Sequence, residues 1–322
     1  MKEGLFMNVL VVMPFKDKHK ELMKQSFPEV NFIYEKNPSE DLVKSAQMII
    51  GNVKTHLLKS AEKLKLLQLN SAGTDGYCKA ELMPKNAVLC NATGAYGLAI
   101  SEYMLATLMA MQKKLYRYHN NQKQNLWQDE GEVTSISGST IIVIGLGDIG
   151  SKFAQKVKAL GASRVIGVKR RITAKPDYID ELISLDSLNE YLSQADVVAT
   201  VLPGTSATYH LFDKTKFSLM KKGAFFVNAG KGSAVVEEDL CQAVESGHLK
   251  GASLDVTEVE PLPKESKMWQ IENIHITPHT AGQYHLPATH DNIVNIAHEN
   301  LRRLLAGEEA INQVDFVTGY KK

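Results

Sequence analysis

Only three cysteines, Cys78, Cys90 and Cys241, occur in 322 residues. They are too few and too irregularly spaced for a disulfide framework or a CxxC metal site, and they suit a reducing compartment. Neither sign of charge is in excess, with 37 Lys+Arg against 36 Asp+Glu. No basic field is left over to hold a phosphate backbone, so no nucleic-acid partner is expected. Long hydrophobic runs are also missing. Ile141–Gly147 and Val197–Pro203 are among the longest and fall far below the ~20 residues of a membrane span, so no membrane association is expected. The opening Met1-Lys2-Glu3-Gly4 lacks a signal-peptide h-region followed by a cleavage site. Repeats of solenoid period and low-complexity tracts are absent as well. A soluble, cytoplasmic protein is the expectation.

Apolar residues make up 44% of the chain, enough for a sizeable core, and the length favours two domains. Strand-length apolar runs alternate with helix-like stretches from end to end, the pattern of helices crossing over between parallel strands. The expected fold class is therefore α/β. Strands are expected at Met7–Val12, Asn31–Tyr34, Met48–Ile50, Leu64–Leu69 and Val88–Cys90. A second series is expected at Ser139–Ile144, Val165–Val168, Val197–Leu202, Ala224–Val227, Ser253–Val256 and Ile274–Thr277. Ile100, Met104, Leu108, Met111 and Leu115 keep helical spacing, which predicts one long helix from Ile100 to about His119 with a single buried stripe. Ser39 before Glu40 and Asp41 marks a helix start, Gly161 and Gly247 mark helix ends, and a last helix runs from about Pro287 to Ala306.

The continuous apolar strand at Ile141–Ile144 leads straight into Gly145-Leu146-Gly147-Asp148-Ile149-Gly150, followed by a helix pattern. In a GxGxxG turn the first glycine makes the bend, the second lets a pyrophosphate approach the backbone, and the third lets helix and strand pack closely. The helix N-terminus then faces the anion. GxGxxG alone also fits a glycine-rich turn with no ligand, but a strand before, a helix after and another strand about 20 residues on make a dinucleotide site the better reading. An Asp or Glu ending that next strand would select NAD through the ribose 2′-hydroxyl. Instead Lys169, Arg170 and Arg171 stand there, where the 2′-phosphate of NADP would lie. NADP(H) is thus preferred over NAD(H), the alternative being a solvated basic turn.

Three polar patches follow in order, each at the C-terminal end of an expected strand: Asn228–Gly232, Asp255–Pro261 and Thr277–Gly282. In open α/β sheets that edge binds the ligand. A cation, a carboxylate and a histidine from these patches can converge on it. The set suits reduction of a 2-keto acid, in which the cation holds the substrate's oxygens, the histidine donates a proton and the carboxylate orients the histidine. Taken singly, each of the three has an ordinary structural explanation; their shared placement lifts them above it. His275 and His279 straddle a strand end and have no further ligand candidates nearby, so no metal is expected.

The ordered series Leu69–Asp75, Asn91–Gly94, Ser101-Glu102, Gly145–Gly150, Leu202-Pro203, Asn228–Gly232, Asp255–Pro261 and Thr277–Gly282 resembles the D-isomer-specific 2-hydroxyacid dehydrogenases, which include glyoxylate/hydroxypyruvate reductases and phosphoglycerate dehydrogenase. The resemblance implies two Rossmann-like doubly wound parallel-sheet domains. The substrate domain is discontinuous, residues 1–98 plus 284–322, with the dinucleotide domain 99–283 inserted. It implies that His279 is the acid/base with Glu260 as its partner, and that backbone amides near Ala72 and Gly73 clamp the substrate carboxylate. Asn228, Ala229 and Asp255 would line the nicotinamide pocket, Leu202, Pro203 and Thr205 the adenosine and ribose side, Ala281 and Gly282 would also bind the cofactor, and Tyr96 would lie near the substrate. Small 2-keto and 2-hydroxy acids are the implied substrates and a homodimer the implied assembly. One departure stands out: the family has arginine where this chain has Lys231, and lysine keeps the charge but loses the planar fork. If Lys231 points to solvent, an arginine elsewhere such as Arg117 would complete the site. A non-catalytic dinucleotide sensor on the same fold is the alternative function.

Overall fold

The computed structural model describes residues 7–321 except 75, 171, 173, 317 and 318. Asp75, Arg171 and the opening Met1–Gly4, singled out above, lie outside the described residues. The chain forms two units, one made of residues up to Tyr96 together with those from Leu286 onward, the other of Gly97–His285.

In the first unit, short apolar runs give β1 (Met7–Val11), β2 (Val30–Tyr34), β3 (Met48–Ile50), β4 (Leu66–Gln68) and β5 (Val88–Cys90). Helices α1 (Asp17–Ser26) and α2 (Glu40–Ser45) connect the first three strands. Ser39 caps α2, its hydroxyl accepting from the Leu42 amide at 3.4 Å. The sheet is wholly parallel in the order β2-β1-β3-β4-β5, a doubly wound order.

The second unit opens with α3 (Gly97–Gln112) and α4 (Leu115–Lys123), then alternates β6 (Thr140–Ile144), α5 (Asp148–Ala159), β7 (Arg164–Lys169), β8 (Glu181–Ser184), α6 (Leu188–Tyr191) and β9 (Val197–Thr200). It continues with α7 (Lys214–Leu219), β10 (Ala224–Asn228), α8 (Glu237–Glu245), β11 (Leu249–Leu254) and β12 (Ile274–Ile276). Seven parallel strands pair in the order β12-β11-β10-β9-β6-β7-β8. The order reverses between β6 and β9, the switch point where such sheets bind ligands. Both faces are covered, which is why the strands read as unbroken apolar runs rather than alternating ones. Ile142, Ile144, Val198 and Phe226 pack with Phe217, Leu240 and Val244 on one side. Ile141, Val143, Val197 and Val227 pack with Met104, Leu108 and Phe153 on the other. Gly161 and Gly247 follow α5 and α8 with φ of 89° and 71°, the left-handed ends expected of them.

The chain then returns to the first unit as α9 (Pro287–Ala306), whose Ile293, Val294, Ala297 and Leu301 are fully buried. Asn300, also fully buried, donates to Gln68 Oε1 of β4 at 2.6 Å and accepts from the Ile311 amide at 2.7 Å, tying this helix to the first sheet.

Several sequence expectations change, and one strand was not expected. The single helix from Ile100 to His119 is two helices, because Lys114 takes a left-handed φ of 56° and the chain turns there. Contacts outside the helix outweigh the continuing apolar spacing: Lys113 donates to the Thr134 carbonyl at 2.8 Å, Lys114 to the Glu130 carbonyl, and Tyr116 stacks on His275 with ring centroids 3.6 Å apart. The strand expected at Ser253–Val256 begins earlier, at Leu249, and ends at Leu254, so Val256 lies beyond it. The edge strand β8, with only Ile183 buried, carries too little apolar pattern to announce itself.

Burial under Tyr116 pushes the His275 imidazole down to about 4. Unfolding therefore lets it take up a proton between pH 4 and its ordinary 6.5, so its contribution is intact above 6.5 and is lost as pH falls toward 4. The loss of melting temperature between pH 7 and pH 4.5 is expected to be smaller in His275→Phe than in the parent protein. Equal losses in thermal melts would contradict this.

Candidate functional site

The turn after β6 meets the steric demands of a phosphate cradle. Gly145 has φ of 94°, a left-handed value that disfavours any side chain. A methyl group on Gly150 would lie 2.0 Å from the Gly145 carbonyl oxygen, so helix and turn touch through this glycine. At Gly147, by contrast, an added methyl meets no atom within 4 Å. Nothing in the protein's own packing there excludes a side chain, and the space beside the backbone is open. Gly147 is also the N-cap of α5 and offers no side chain to its first turn, whose leading N–H groups have no intrahelical acceptor. The residues present fit a dinucleotide pyrophosphate. Asp148 turns its carboxylate elsewhere, accepting from the Gly97 amide at 2.7 Å, so only its backbone faces this turn. Leu146 packs back over β7, where a methyl on Gly167 would come within 2.4 Å of its side chain.

Lys169 ends β7, half-buried, and Arg170 follows it, exposed. Leu202 and Pro203 follow β9 at the same edge, and a tight turn comes next: Thr208 donates to the Pro203 carbonyl at 2.6 Å, and the Thr205 amide donates to Thr208 Oγ1 at 3.0 Å. This loop is fastened by a pair that the sequence did not single out. His210, left-handed at φ of 49°, donates its amide to the Ser233 carbonyl at 2.8 Å, and its Nε2 lies 2.6 Å from Glu258 Oε1.

Asn228, at the end of β10, is buried and spends its amide side chain on its own loop. It donates to the Lys231 carbonyl and accepts from the Gly230 amide, both at 3.0 Å. Ala229 donates its amide to the Thr200 carbonyl at 3.1 Å. Methyl groups on Gly230 or Gly232 would come within 2.5 Å of Leu202 and 2.0 Å of Thr257, so this loop lies against both neighbouring strand-end loops. It presents Lys231, half-buried, beside Gly204.

Glu260 and His279 meet, with Glu260 Oε2 2.7 Å from His279 Nδ1 while Oε1 accepts from the Thr257 amide at 3.2 Å. His279 is left-handed, at φ of 52°, a conformation that costs a non-glycine residue about 1–3 kcal/mol and must be held from outside. Asp255 holds it. Its carbonyl accepts from the His279 amide at 2.8 Å, and its buried carboxylate accepts from the Thr280 and Ala281 amides at 2.9 and 3.1 Å and from the Thr277 hydroxyl at 2.7 Å. Burial raises the Asp255 carboxyl above its usual range, opposed by those donors. Gly282, beyond Ala281, is buried.

Arg117 does not join this edge. It lies by Asn273, at the opposite, N-terminal end of β12, paired with Glu272 at 3.2 Å and Glu130 at 3.6 Å. Among the described residues no group of three or more His, Cys, Asp or Glu is placed to hold a metal, and no helix is long and apolar enough to cross a membrane.

In the first unit, Ala72 and Gly73 follow β4. Their carbonyls accept from Asn91 Nδ2 at 2.9 Å and from the Ser71 hydroxyl at 2.7 Å, and Tyr96 donates its hydroxyl to the Asn70 carbonyl. Asn91 and Tyr96 thus brace the loop that carries Ala72 and Gly73.

Comparison with known proteins shows the family to which the chain belongs. The family described as D-isomer specific 2-hydroxyacid dehydrogenase, NAD binding domain, matches residues 105–281. The structure of a D-isomer specific 2-hydroxyacid dehydrogenase family protein from Aeromonas salmonicida superposes with a TM-score of 0.84 at 33% identity, covering 96% of this chain and 99% of that one. An NADPH-dependent glyoxylate/hydroxypyruvate reductase from Sinorhizobium meliloti, in complex with NADP and sulfate, superposes with a TM-score of 0.83 at 25% identity, covering 98% and 100%. Glyoxylate/hydroxypyruvate reductase A of Photorhabdus laumondii is 27% identical over 325 residues, 98% of this chain and 100% of that protein. The chain is similar to each along nearly its whole length, and it belongs to the D-isomer specific 2-hydroxyacid dehydrogenase family, oxidoreductases that use a nicotinamide dinucleotide.

Proposed function

We propose that this protein is a reductase that prefers NADPH and converts small 2-keto acids, glyoxylate and hydroxypyruvate foremost, to D-2-hydroxy acids, reversibly and in the cytoplasm. The observation that carries the proposal is the 2.7 Å pair of Glu260 and His279, held at the same sheet edge as the Gly145–Gly150 turn. The two acids come from the names of the Sinorhizobium and Photorhabdus relatives. Preference for NADPH is supported by Lys169 and Arg170 at the end of β7, where no acid stands, and by the NADP in the Sinorhizobium protein.

When bound, the nicotinamide supplies the hydride for the keto carbon. Glu260 accepts the Nδ1–H of His279, which fixes the ring and leaves Nε2 to donate its proton to the keto oxygen. Lys231 attracts the substrate carboxylate as a point charge. In the first unit Tyr96 braces, through the Asn70 carbonyl, the loop of Ala72 and Gly73, whose amides the family resemblance assigns to a carboxylate. Lys231 in place of arginine is the one feature favouring a dinucleotide sensor; a sensor has no need of the His279–Glu260 pair. The working assembly is a homodimer, supported by the exposure of the apolar side chains of Met109, Leu115, Leu126 and Trp127 on and after α3, residues of the kind partners cover. Light scattering should give twice the 35.6 kDa of one chain; a monomer at micromolar concentration overturns that assignment.

Following NADPH absorbance with a panel of glyoxylate, hydroxypyruvate, pyruvate and branched 2-keto acids should show turnover. His279→Ala should lose about 100-fold or more of it, the usual worth of a positioned acid. Lys231→Ala should lose most activity, whereas Lys231→Arg keeps or raises kcat because a fork orients where a point charge only attracts. No turnover with any acid, or an unchanged rate in His279→Ala, overturns the proposal. NADPH should bind about tenfold or more tightly than NADH, with Arg170→Ala erasing the difference.

The open space at Gly147 gives a separate check on the cradle. Gly147→Ala should change stability by no more than about 0.5 kcal/mol and still weaken NADPH binding about tenfold or more, because the methyl occupies the pyrophosphate's approach. Gly150→Ala should destabilise the fold itself. Unimpaired NADPH binding in a folded Gly147→Ala, read by calorimetric titration, would contradict the cradle.

A further inference from the structure

His279 owes its left-handed backbone to Asp255 on both sides, the carbonyl before it and the carboxylate after it. The carboxylate is in turn held by Thr277, whose hydroxyl proton points at Asp255 Oδ1 at 2.7 Å. Thr277 has one hydroxyl proton, and it is committed to an acceptor-only group. Tyr103 Oη lies 2.6 Å from the same Thr277 oxygen, so Tyr103 must be the donor of that bond. The direction of the chain is thereby fixed: Tyr103 donates to Thr277, and Thr277 donates to Asp255. Burial pushes the Tyr103 phenol up, which keeps its proton in place. Tyr103 sits on α3, a helix whose neighbouring Met104 and Leu108 are core residues.

We propose that Tyr103 is a positioning residue for His279, acting through Thr277 on the carboxylate that pins the Thr280 and Ala281 amides. Its role rests on the acid function proposed for His279. Tyr103 touches neither substrate nor dinucleotide in this scheme. It removes a freedom: without the phenol, Thr277 can rotate its proton away, the carboxylate gains room, and the His279 loop samples other backbone conformations. Small displacements of a proton donor lower kcat out of proportion to their effect on binding.

The test compares Tyr103→Phe, Thr277→Val, Thr277→Ser and the Tyr103→Phe/Thr277→Val double variant, by steady-state kinetics with NADPH and by amide hydrogen exchange. Tyr103→Phe should lower kcat about threefold or more and Thr277→Val about tenfold or more, with both KM values within about twofold. Thr277→Ser, which keeps the hydroxyl, should stay near the parent rate. The double variant should be no slower than Thr277→Val alone, because the phenol has nothing left to act through. Exchange at Thr280 and Ala281 should quicken in Tyr103→Phe and Thr277→Val, with protection of β6 unchanged. Multiplying effects in the double variant overturn the proposal, as does slower turnover without faster exchange at these amides, or faster exchange without slower turnover. Where Thr277→Val loses β6 protection and is unfolded, Tyr103→Phe and Thr277→Ser decide alone. If the parent protein reduces none of the keto acids, the function proposed for it fails, and exchange at Thr280 and Ala281 still decides the role of Tyr103.

Discussion

A single buried carboxylate organises the chemistry of the second unit. Asp255 follows the end of β11 and faces the loop after β12, and it gathers two loop amides and a hydroxyl at the sheet edge. Taking a carboxylate out of water is expensive unless donors replace the water, and burial does raise this one above its usual range. Three donors offset that penalty and are themselves immobilised by it. The consequence is a histidine in a conformation histidine does not prefer, 2.7 Å from Glu260 and with its ring half exposed. Rigidity behind the ring and access in front of it are what a proton donor to a bound carbonyl requires.

The same economy operates along the rest of the edge. Parallel pairing places the C-terminal ends of β6, β7, β9, β10, β11 and β12 side by side, and each end is followed by a loop pressed against its neighbours. Gly150 against the Gly145 carbonyl, Gly230 against Leu202 and Gly232 against Thr257 are contacts that a single methyl group would break. Asn228 and Asp148 spend their side chains on backbone amides or carbonyls rather than on the space in front of them. Much of what a motif preserves here is therefore the path of the loop, which leaves the Glu260–His279 pair and the first turn of α5 at the edge.

The strand positions and the order of the polar patches were legible in the sequence because the sheet is covered on both faces, and unbroken apolar runs mark such strands plainly. The Gly145–Gly150 turn was legible for a similar reason: its spacing is dictated by sterics that admit few alternatives. The pairing of Glu260 with His279 came from the family resemblance; strand-end placement alone left Asp255 and Glu258 as equal candidates. Other features had no local signal. The helical stripe breaks at Lys114 through contacts of Lys113 with Thr134, Lys114 with Glu130 and Tyr116 with His275, residues outside the helix. β8 is too polar to stand out. Tyr103 borders an apolar stripe, where a tyrosine reads as packing; its hydroxyl gains meaning only when Thr277, 174 positions away, arrives beside it. A tyrosine at the rim of a core stripe needs a partner for its hydroxyl, and that is the one hint that was available.

The central claim is that a carbonyl bound in front of this edge takes its proton from His279 while Lys231 attracts the adjoining carboxylate. A crystal structure of the protein with NADPH and a non-reducible 2-keto acid analogue measures this directly. The account requires the analogue's carbonyl oxygen about 3 Å from His279 Nε2, its carboxylate toward the Lys231 ammonium, and the Glu260–His279 pair intact. A carbonyl turned away from His279, with the carboxylate in its place, would contradict it.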